Sequence, residues 1–196
     1  MRKNIAPVIA MIVVGCSQAT GAHSQGRLVI DQVHPRRAAT IAVISGALGA
    51  NGAIDPAVSA YGANRSMPLK WSAVAGAVVW AVVIEDPDAP SAKPFLHWLV
   101  WNIPGPVTAL IEGLPTYPRL SAPPGADQGR NDAGATGYHG PHPPAGPAHR
   151  YHIEVFALDQ PLAAAPGADL ATVLAAMRGH VIADGQVVGT FAAPHS

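Results

Sequence analysis

The sequence predicts a mainly β protein, an antiparallel β-sandwich with one or two peripheral helices. Gly and Pro supply 20 residues each of the 196, which is too many interruptions for a helical bundle. Hydrophobic residues make up 49% of the chain, too many for a disordered protein. The short β-branched segments do not alternate regularly with helices, as a parallel sheet would require. At this length we expect a single domain with one site.

The first 15 residues have the pattern of a signal peptide. Arg2 and Lys3 precede an apolar run from Ile5 to Val14. The run is shorter than the roughly 20 residues that a membrane-spanning helix needs, and a basic start with a short apolar run is typical of export. The prediction is therefore an exported protein with a signal peptide at 1–15.

Cys16 is the only cysteine of the chain, and it follows a small residue at the end of the apolar run. This resembles a bacterial lipobox, which predicts a lipoprotein whose Cys16 carries the lipid that anchors it to a membrane. An ordinary signal peptide that is cut nearby, with Cys16 discarded and the protein soluble outside the cytoplasm, is the alternative. Residues 16–26 are small and polar and predict a flexible tether. The folded domain is expected at 27–196.

Short apolar and β-branched segments predict the strands. The segment that ends at Glu85 is apolar throughout and indicates a strand buried on both faces. One helix is predicted, with Asp169 as its N-cap, an apolar stripe as far as Met177, and Gly179 just beyond its end. The predicted strands are Leu28–Ile30, Thr40–Ile44, Val78–Glu85, Phe95–Asn102, His149–Leu158 and Val187–Phe191.

Charge and proline content narrow the function. The 12 Lys and Arg residues balance the 12 Asp and Glu residues, which argues against a nucleic-acid-binding protein and against an acidic disordered tail. The segment from Pro87 to Pro147 contains 13 of the 20 prolines. Because each proline removes backbone freedom, this segment predicts a collar of rigid loops.

Several polar residues interrupt the predicted strands or lie at their ends. Asp86 and Asp88 follow one buried strand, His97 lies inside the next, and His149 begins a third. Such residues can converge at one mouth of a sandwich and bind a small polar ligand. Imidazoles and Arg150 can donate to a phosphate or carboxylate, while Asp86 accepts from an imidazole. Four histidines fall within 14 residues, namely His139, His142, His149 and His152.

These residues belong to a series of ordered motifs that resembles the phosphatidylethanolamine-binding protein family, including its bacterial Raf-kinase-inhibitor-like branch. The resemblance covers about residues 50 to 191. It implies a β-sandwich with Greek-key connections, a bound phosphoryl or other small anionic group, and a possible homodimer. The matching motifs are Ser66–Ser72, Asp86–Pro90, Phe95–Val100, Gly129–Asp132, Gly137–Gly146, His149–Tyr151, Arg178–Val181 and Gly189–Phe191. The pocket residues implied by the resemblance are Asp86, His97, His149 and Tyr151, with a rim of Gly140, Pro141, His142, Pro143 and Pro144.

The chain departs from the family pattern at two positions and raises one question of backbone geometry. His142 stands where relatives often carry a small residue or a cysteine, so the mouth of the pocket is expected to be narrower or to gain a donor. Ala133 stands where bacterial relatives often place an aromatic residue, which leaves the ligand size open. The resemblance also makes Asp86-Pro87 a candidate for a cis peptide bond, which is essentially a proline phenomenon.

Other interpretations of the same residues remain open. The loops could block a kinase or a protease, as eukaryotic relatives do, so an inhibitor is the alternative function. No nucleophile elbow, glycine-rich phosphate loop or activated cysteine is present, and Ser91 is the one serine worth testing, so we do not expect an enzyme. We expect no cofactor and no metal, since His149 and His152 would lie on opposite faces of a strand. Arg150 could be a pocket donor or could pair with a loop carboxylate such as Asp132.

Overall fold

The computed structural model describes residues 26–37 and 39–194. The predicted signal peptide at 1–15, Cys16 and most of the predicted tether lie outside these residues. The described chain forms two antiparallel sheets with helices α1 (Val29–Gln32) and α2 (Leu170–Met177) and a 3-10 turn at Pro56–Val58. No helix in this part of the chain is long and apolar enough to cross a membrane.

The smaller sheet has three strands in the order β1-β2-β5, and the larger has five in the order β6-β4-β3-β7-β8. The paired strands of both sheets run antiparallel to each other, which confirms the predicted mainly β class with two antiparallel sheets. The strands are β1 (Val43–Ser45), β2 (Leu69–Trp71), β3 (Val79–Asp86), β4 (Phe95–Pro104), β5 (Ala109–Leu110), β6 (Asp127–Gln128), β7 (His149–Leu158) and β8 (Val181–Phe191).

Both faces of the larger sheet are covered, which explains the apolar sequence of its central strand β3. Successive side chains of a strand point to opposite faces. On β3, Trp80 and Val82 pack into the core shared with the smaller sheet, whereas Ala81 and Val83 pack into a second core beneath the two helices. All eight residues of β3 are therefore buried.

The prediction of helix α2 is confirmed together with its boundaries. Asp169 is the N-cap, and its carboxylate accepts a hydrogen bond from the backbone N–H of Thr172 at 2.9 Å. Val173 and Met177 are buried against the larger sheet. Gly179 has φ +78°, the left-handed conformation that ends many helices and that glycine adopts without strain.

The long strand predictions are confirmed, Leu28–Ile30 is wrong, and Thr40–Ile44 is correct only at its end, where β1 begins at Val43. Strands β3, β4 and β7 occur within two residues of their predicted ends. Leu28–Ile30 is not a strand, because Val29 begins α1 and buries its side chain in the second core. Three residues are too few for periodicity to separate a strand from a helix.

The structure also differs from the sequence predictions in the bounds of one strand, in three short strands and in the place of a cis peptide bond. Strand β8 begins at Val181 instead of the predicted Val187, because its first half also pairs with β7. Strands β2, β5 and β6 were not predicted, since each has only two or three residues. The expectation of a cis bond at Asp86-Pro87 is wrong: within the described ranges the cis peptide bond is Ala122-Pro123.

Two carboxyl groups are buried between the larger sheet and α1. Glu85 on β3 accepts a hydrogen bond from the backbone N–H of Val29 at 2.8 Å, and Glu154 on β7 accepts one from that of Ile30 at 3.0 Å. Burial raises the pKa of Glu85 to about 7. Burial and then the charge of Glu85 raise the pKa of Glu154 to about 9. The interface between the larger sheet and α1 therefore favours the protonated form of both carboxyl groups over the ionised form.

This pair predicts that the free energy of unfolding falls as pH rises from 5 to 9. In the unfolded chain the two groups ionise near their ordinary pKa of 4.5, whereas in the folded chain they ionise only near 7 and 9. The unfolded state thus loses its protons first, and rising pH favours it. Glu85 alone predicts a loss of about 2 kcal/mol between pH 5 and pH 8, measured by urea unfolding.

The controls are Glu85→Gln and Glu154→Gln, which remove one titrating group each and should flatten the pH profile. The assignment would be contradicted if the stability of the wild type did not fall over this range. It would also be contradicted if the stability of both variants fell as much as that of the wild type.

Candidate functional site

One end of the larger sheet opens into a cavity of about 520 Å³. Three central strands meet there: β3 ends with Asp86, β4 begins close to His97, and β7 begins with His149. All three side chains line the cavity. Pro90, in the loop between β3 and β4, and Phe95, at the start of β4, line it as well. The ends of these three strands therefore converge at one cavity.

A one-residue irregularity positions His97. In the pairing of β3 with β4, Ile84 lies opposite Trp98, but the next residue, Glu85, lies opposite Leu96. His97 is thus the extra residue of a β-bulge, a feature that commonly redirects a side chain near a functional site. Its ring lies 5.2 Å from that of Tyr151 between centroids, in an edge-on arrangement.

His97 is held by reciprocal hydrogen bonds with His139. The His97 Nδ1 lies 2.8 Å from the carbonyl oxygen of His139, and the backbone N–H of His139 donates to the carbonyl of His97. Burial lowers the pKa of His97 to about 4, against the opposing influence of the His139 and Gly140 backbone and the Asp86 carboxylate. His97 is therefore neutral at pH 7.

His149 is oriented by Asp86. The His149 Nδ1 lies 2.8 Å from the Asp86 carboxylate, and both side chains are largely shielded from solvent. The same carboxylate accepts a hydrogen bond from the backbone N–H of Asp88, which fixes its position at the end of β3. Because Nδ1 is engaged, Nε2 is the nitrogen of this ring that a ligand can reach.

Tyr151 is fully buried, two residues along β7 from His149, and its ring contacts that of His97. It is not among the residues that line the cavity, and its buried hydroxyl lies close to Asp86 and to the His142 backbone without a hydrogen bond of ordinary geometry to a described residue. Burial, followed by the negative charge of Asp86, raises the pKa of Tyr151, so the hydroxyl keeps its proton and can act as a donor.

The predicted rim residues lie at the cavity in two ways. His142, Pro143 and Pro144 line it directly. Gly140 and Pro141 support the rim from behind, since the Pro141 carbonyl accepts a hydrogen bond from the backbone N–H of Ala60. At this rim the His142 ring lies 4.5 Å from that of Tyr61 between centroids.

Sequence reasoning missed Tyr61 as a cavity residue. Its hydroxyl donates to the carbonyl of Pro143 at 2.6 Å, across 82 positions of sequence. Tyr61 lies in a turn signal, and nothing local marks it as part of the site. Phe95, Ala89 and Pro90 also line the cavity, although the sequence placed them only within matching motifs.

The cations of the neighbouring loops are paired. Arg150 donates to both carboxylate oxygens of Asp88, at 2.7 and 2.8 Å, so it is a structural partner, although of Asp88 and not of Asp132. Asp132 instead accepts from Lys93 at 2.8 Å. His152 lies away from the cavity and contacts Gln186. Within residues 26–37 and 39–194, no three His, Cys, Asp or Glu side chains are grouped so that they could hold a metal ion.

The fold and this site define a known class. The family model for phosphatidylethanolamine-binding proteins matches residues 44–192, a range that begins in β1 and ends just after β8. The chain belongs to the phosphatidylethanolamine-binding protein family.

Relatives and solved structures agree with that assignment. The chain is 46% identical over 131 residues to a UPF0098 protein of Methanothermobacter thermautotrophicus, an alignment that covers 66% of this chain and 84% of the relative. It is 32% identical over 179 residues to LppC of Mycobacterium tuberculosis, named as a proposed lipoprotein, covering 90% of this chain and 85% of LppC.

The crystal structure of Escherichia coli YbcL, described as a new member of the mammalian PEBP family, aligns with a TM-score of 0.71 and 30% identity over 80% of this chain and all of YbcL. That of a proposed family homologue from Chlamydia trachomatis aligns with a TM-score of 0.69 and 32% identity over 79% of this chain and 99% of the homologue.

The close packing around Gly140 at the rim predicts that Gly140→Ala destabilises the protein. A Cβ at this position would lie 2.4 Å from the carbonyl oxygen of Val58 and 2.7 Å from the backbone nitrogen of Ala60, so the backbone must move. We expect a loss of about 2 kcal/mol or more in the free energy of unfolding. The matched control is Gly46→Ala, whose new methyl group meets only Pro68 at 3.6 Å. Equal stability of the two variants in urea would contradict this account of the rim.

Proposed function

We propose that this protein is an exported, lipid-anchored binding protein that holds a phosphoryl or other small anionic group in the pocket formed by Asp86, His97, His149 and Tyr151. The observation that carries the proposal is that two histidines are both fixed through Nδ1, at the mouth of one cavity. Fixed ring nitrogens in a largely apolar cavity are typical of a pocket that orients a small polar ligand.

The charge balance of the pocket supports an anion of this size. When His149 takes up a proton, its Nδ1 donates to Asp86 and its Nε2 donates into the cavity. The imidazolium then neutralises the carboxylate, which would otherwise repel an anion. The protonated hydroxyl of Tyr151, buried close to Asp86 behind the cavity wall, is a second donor near this carboxylate. Arg150 and Lys93 are each paired with a carboxylate, so these local donors, and not a general positive field, would select the ligand.

Binding fits the pocket better than hydrolysis does. Ser91 lines the cavity, but its hydroxyl donates to the backbone carbonyl of Lys93. A serine nucleophile needs a neighbouring base to accept that proton. The function we propose is therefore recognition of a ligand without turnover.

The test of the pocket is a titration with inorganic phosphate and with O-phosphorylethanolamine, followed by calorimetry and by the NMR signals of the histidine rings. We expect millimolar or tighter binding in the wild type and at least tenfold weaker binding in His149→Ala, because the donor into the cavity is lost. His152→Ala is the matched control, since His152 lies three residues away on the same strand but contacts Gln186. Binding that survives in His149→Ala as well as in His152→Ala would refute the pocket.

Anchoring is a separate part of the proposal. Its supports are the Gly15-Cys16 sequence after a short apolar run and the similarity to LppC over 90% of the chain. Cys16→Ser is expected to shift the protein from the membrane fraction to the soluble fraction, because the lipidated sulfur is replaced. Ser17→Ala, which keeps Cys16, is the control and should stay with the membrane. Unchanged fractionation of Cys16→Ser would mean that Cys16 carries no anchor.

A further inference from the structure

The hydrogen-bond partners of His97 determine which of its ring nitrogens carries the proton. Its Nδ1 lies 2.8 Å from the carbonyl oxygen of His139. A carbonyl oxygen can only accept, so Nδ1 must be the donor and must carry the hydrogen. The backbone N–H of His139 donates to the backbone carbonyl of His97, so the His139 carbonyl that meets Nδ1 is itself held in place beside the ring.

A neutral imidazole has a single N–H group, and in His97 that group is used at Nδ1. The Nε2 atom therefore presents a lone pair. The residue is 3% exposed and lines the cavity, and the side-chain hydrogen bond that it makes with the described residues runs through Nδ1. The low pKa of His97, caused chiefly by burial, keeps the ring in this neutral form at pH 7. This side of the pocket is thus an acceptor.

His149, on the other side of the pocket, has a carboxylate as its partner where His97 has a carbonyl. The Nδ1 of His149 faces the Asp86 carboxylate, which can balance a second proton on that ring. The remaining titratable groups that line the cavity are His139, His142 and Tyr61, and Tyr61 already donates to Pro143. The cations of the adjoining loops are engaged by Asp88 and Asp132. Nothing in this set converts the His97 Nε2 into a donor.

We propose that this pocket selects an oxyanion that brings its own acidic O–H group, which donates to the Nε2 of His97 while another oxygen accepts from His149; the selection rests on the proposed phosphoryl-binding function. Inorganic phosphate at pH 7 and the monoanion of a phosphate monoester carry such a P–O–H group. Sulfate and phosphate diesters carry none. With those ions, an oxygen lone pair would face the lone pair of a buried nitrogen, and an unsatisfied buried acceptor is costly.

The first experiment compares inorganic phosphate, sulfate and dimethyl phosphate by calorimetry on the wild-type protein at pH 7. We expect the dissociation constant of phosphate to be lower than that of either other ion by a factor of about ten or more, because each of the others lacks one hydrogen bond. Sulfate that binds as tightly as phosphate would overturn the selection while leaving the anion pocket intact. Failure of all three to bind would overturn the pocket and the selection together.

The second experiment follows methyl phosphate and sulfate over pH 5.5 to 8. Sulfate has no group that titrates in this range, so its profile records any change in affinity that comes from the protein as pH falls. Methyl phosphate should gain more, because its second pKa of about 6 adds the required proton within this range. Parallel pH profiles for the two ions would contradict a role for the ligand's own proton.

A third measurement reports on His97 without any ligand. In the 15N spectrum of labelled protein at pH 7, we expect the Nε2 of His97 to have the shift of an unprotonated ring nitrogen and Nδ1 that of a protonated one. The opposite tautomer, or a charged ring, would remove the basis of the selection. His152 supplies an internal comparison outside the cavity.

Discussion

The pocket depends on the pairing of β3 with both of its neighbours, and on a one-residue shift in its pairing with β4 beside the cavity. Strand β3 is in register with β7 throughout, but its register with β4 moves by one residue between Ile84 and Glu85. The shift makes His97 an extra residue beside the end of β3. It brings the His97 ring, Asp86 and His149 to one cavity without any long loop to position them. A site built on paired strands is more rigid than one built on loops.

The end of β3 also joins the two sides of the sheet. Glu85 and Asp86 are consecutive, and their side chains point to opposite faces, as in any strand. Glu85 binds the first turn of α1, whereas Asp86 binds His149 in the cavity. The two carboxyl groups therefore experience different surroundings. Burial outweighs the Val29 N–H and the charge of Lys93 and raises the pKa of Glu85, while Asp86 has an imidazole and a backbone N–H as hydrogen-bond partners.

Sequence patterns were sufficient for the features that are sustained over many residues or chemically conspicuous. The long strands β3, β4 and β7 follow from unbroken apolar runs or period-two alternation, and His97 was conspicuous as a polar residue in one of them. The patterns failed where distant contacts decide. Helix α1 depends on a carboxylate 56 residues away, and Tyr61 reaches the rim across 82 residues. The bulge at His97 and the pairing of Arg150 with Asp88 likewise exist only once the strands are aligned.

We expect a small oxyanion to be held between the Nε2 atoms of His97 and His149, and a crystal structure of the protein grown with phosphate at pH 7 would show it. One phosphate should lie with oxygens within about 3 Å of both Nε2 atoms, while the Nδ1 atoms stay on the His139 carbonyl and on Asp86. A phosphate bound elsewhere, or a His97 ring turned so that Nδ1 faces the cavity, would contradict it.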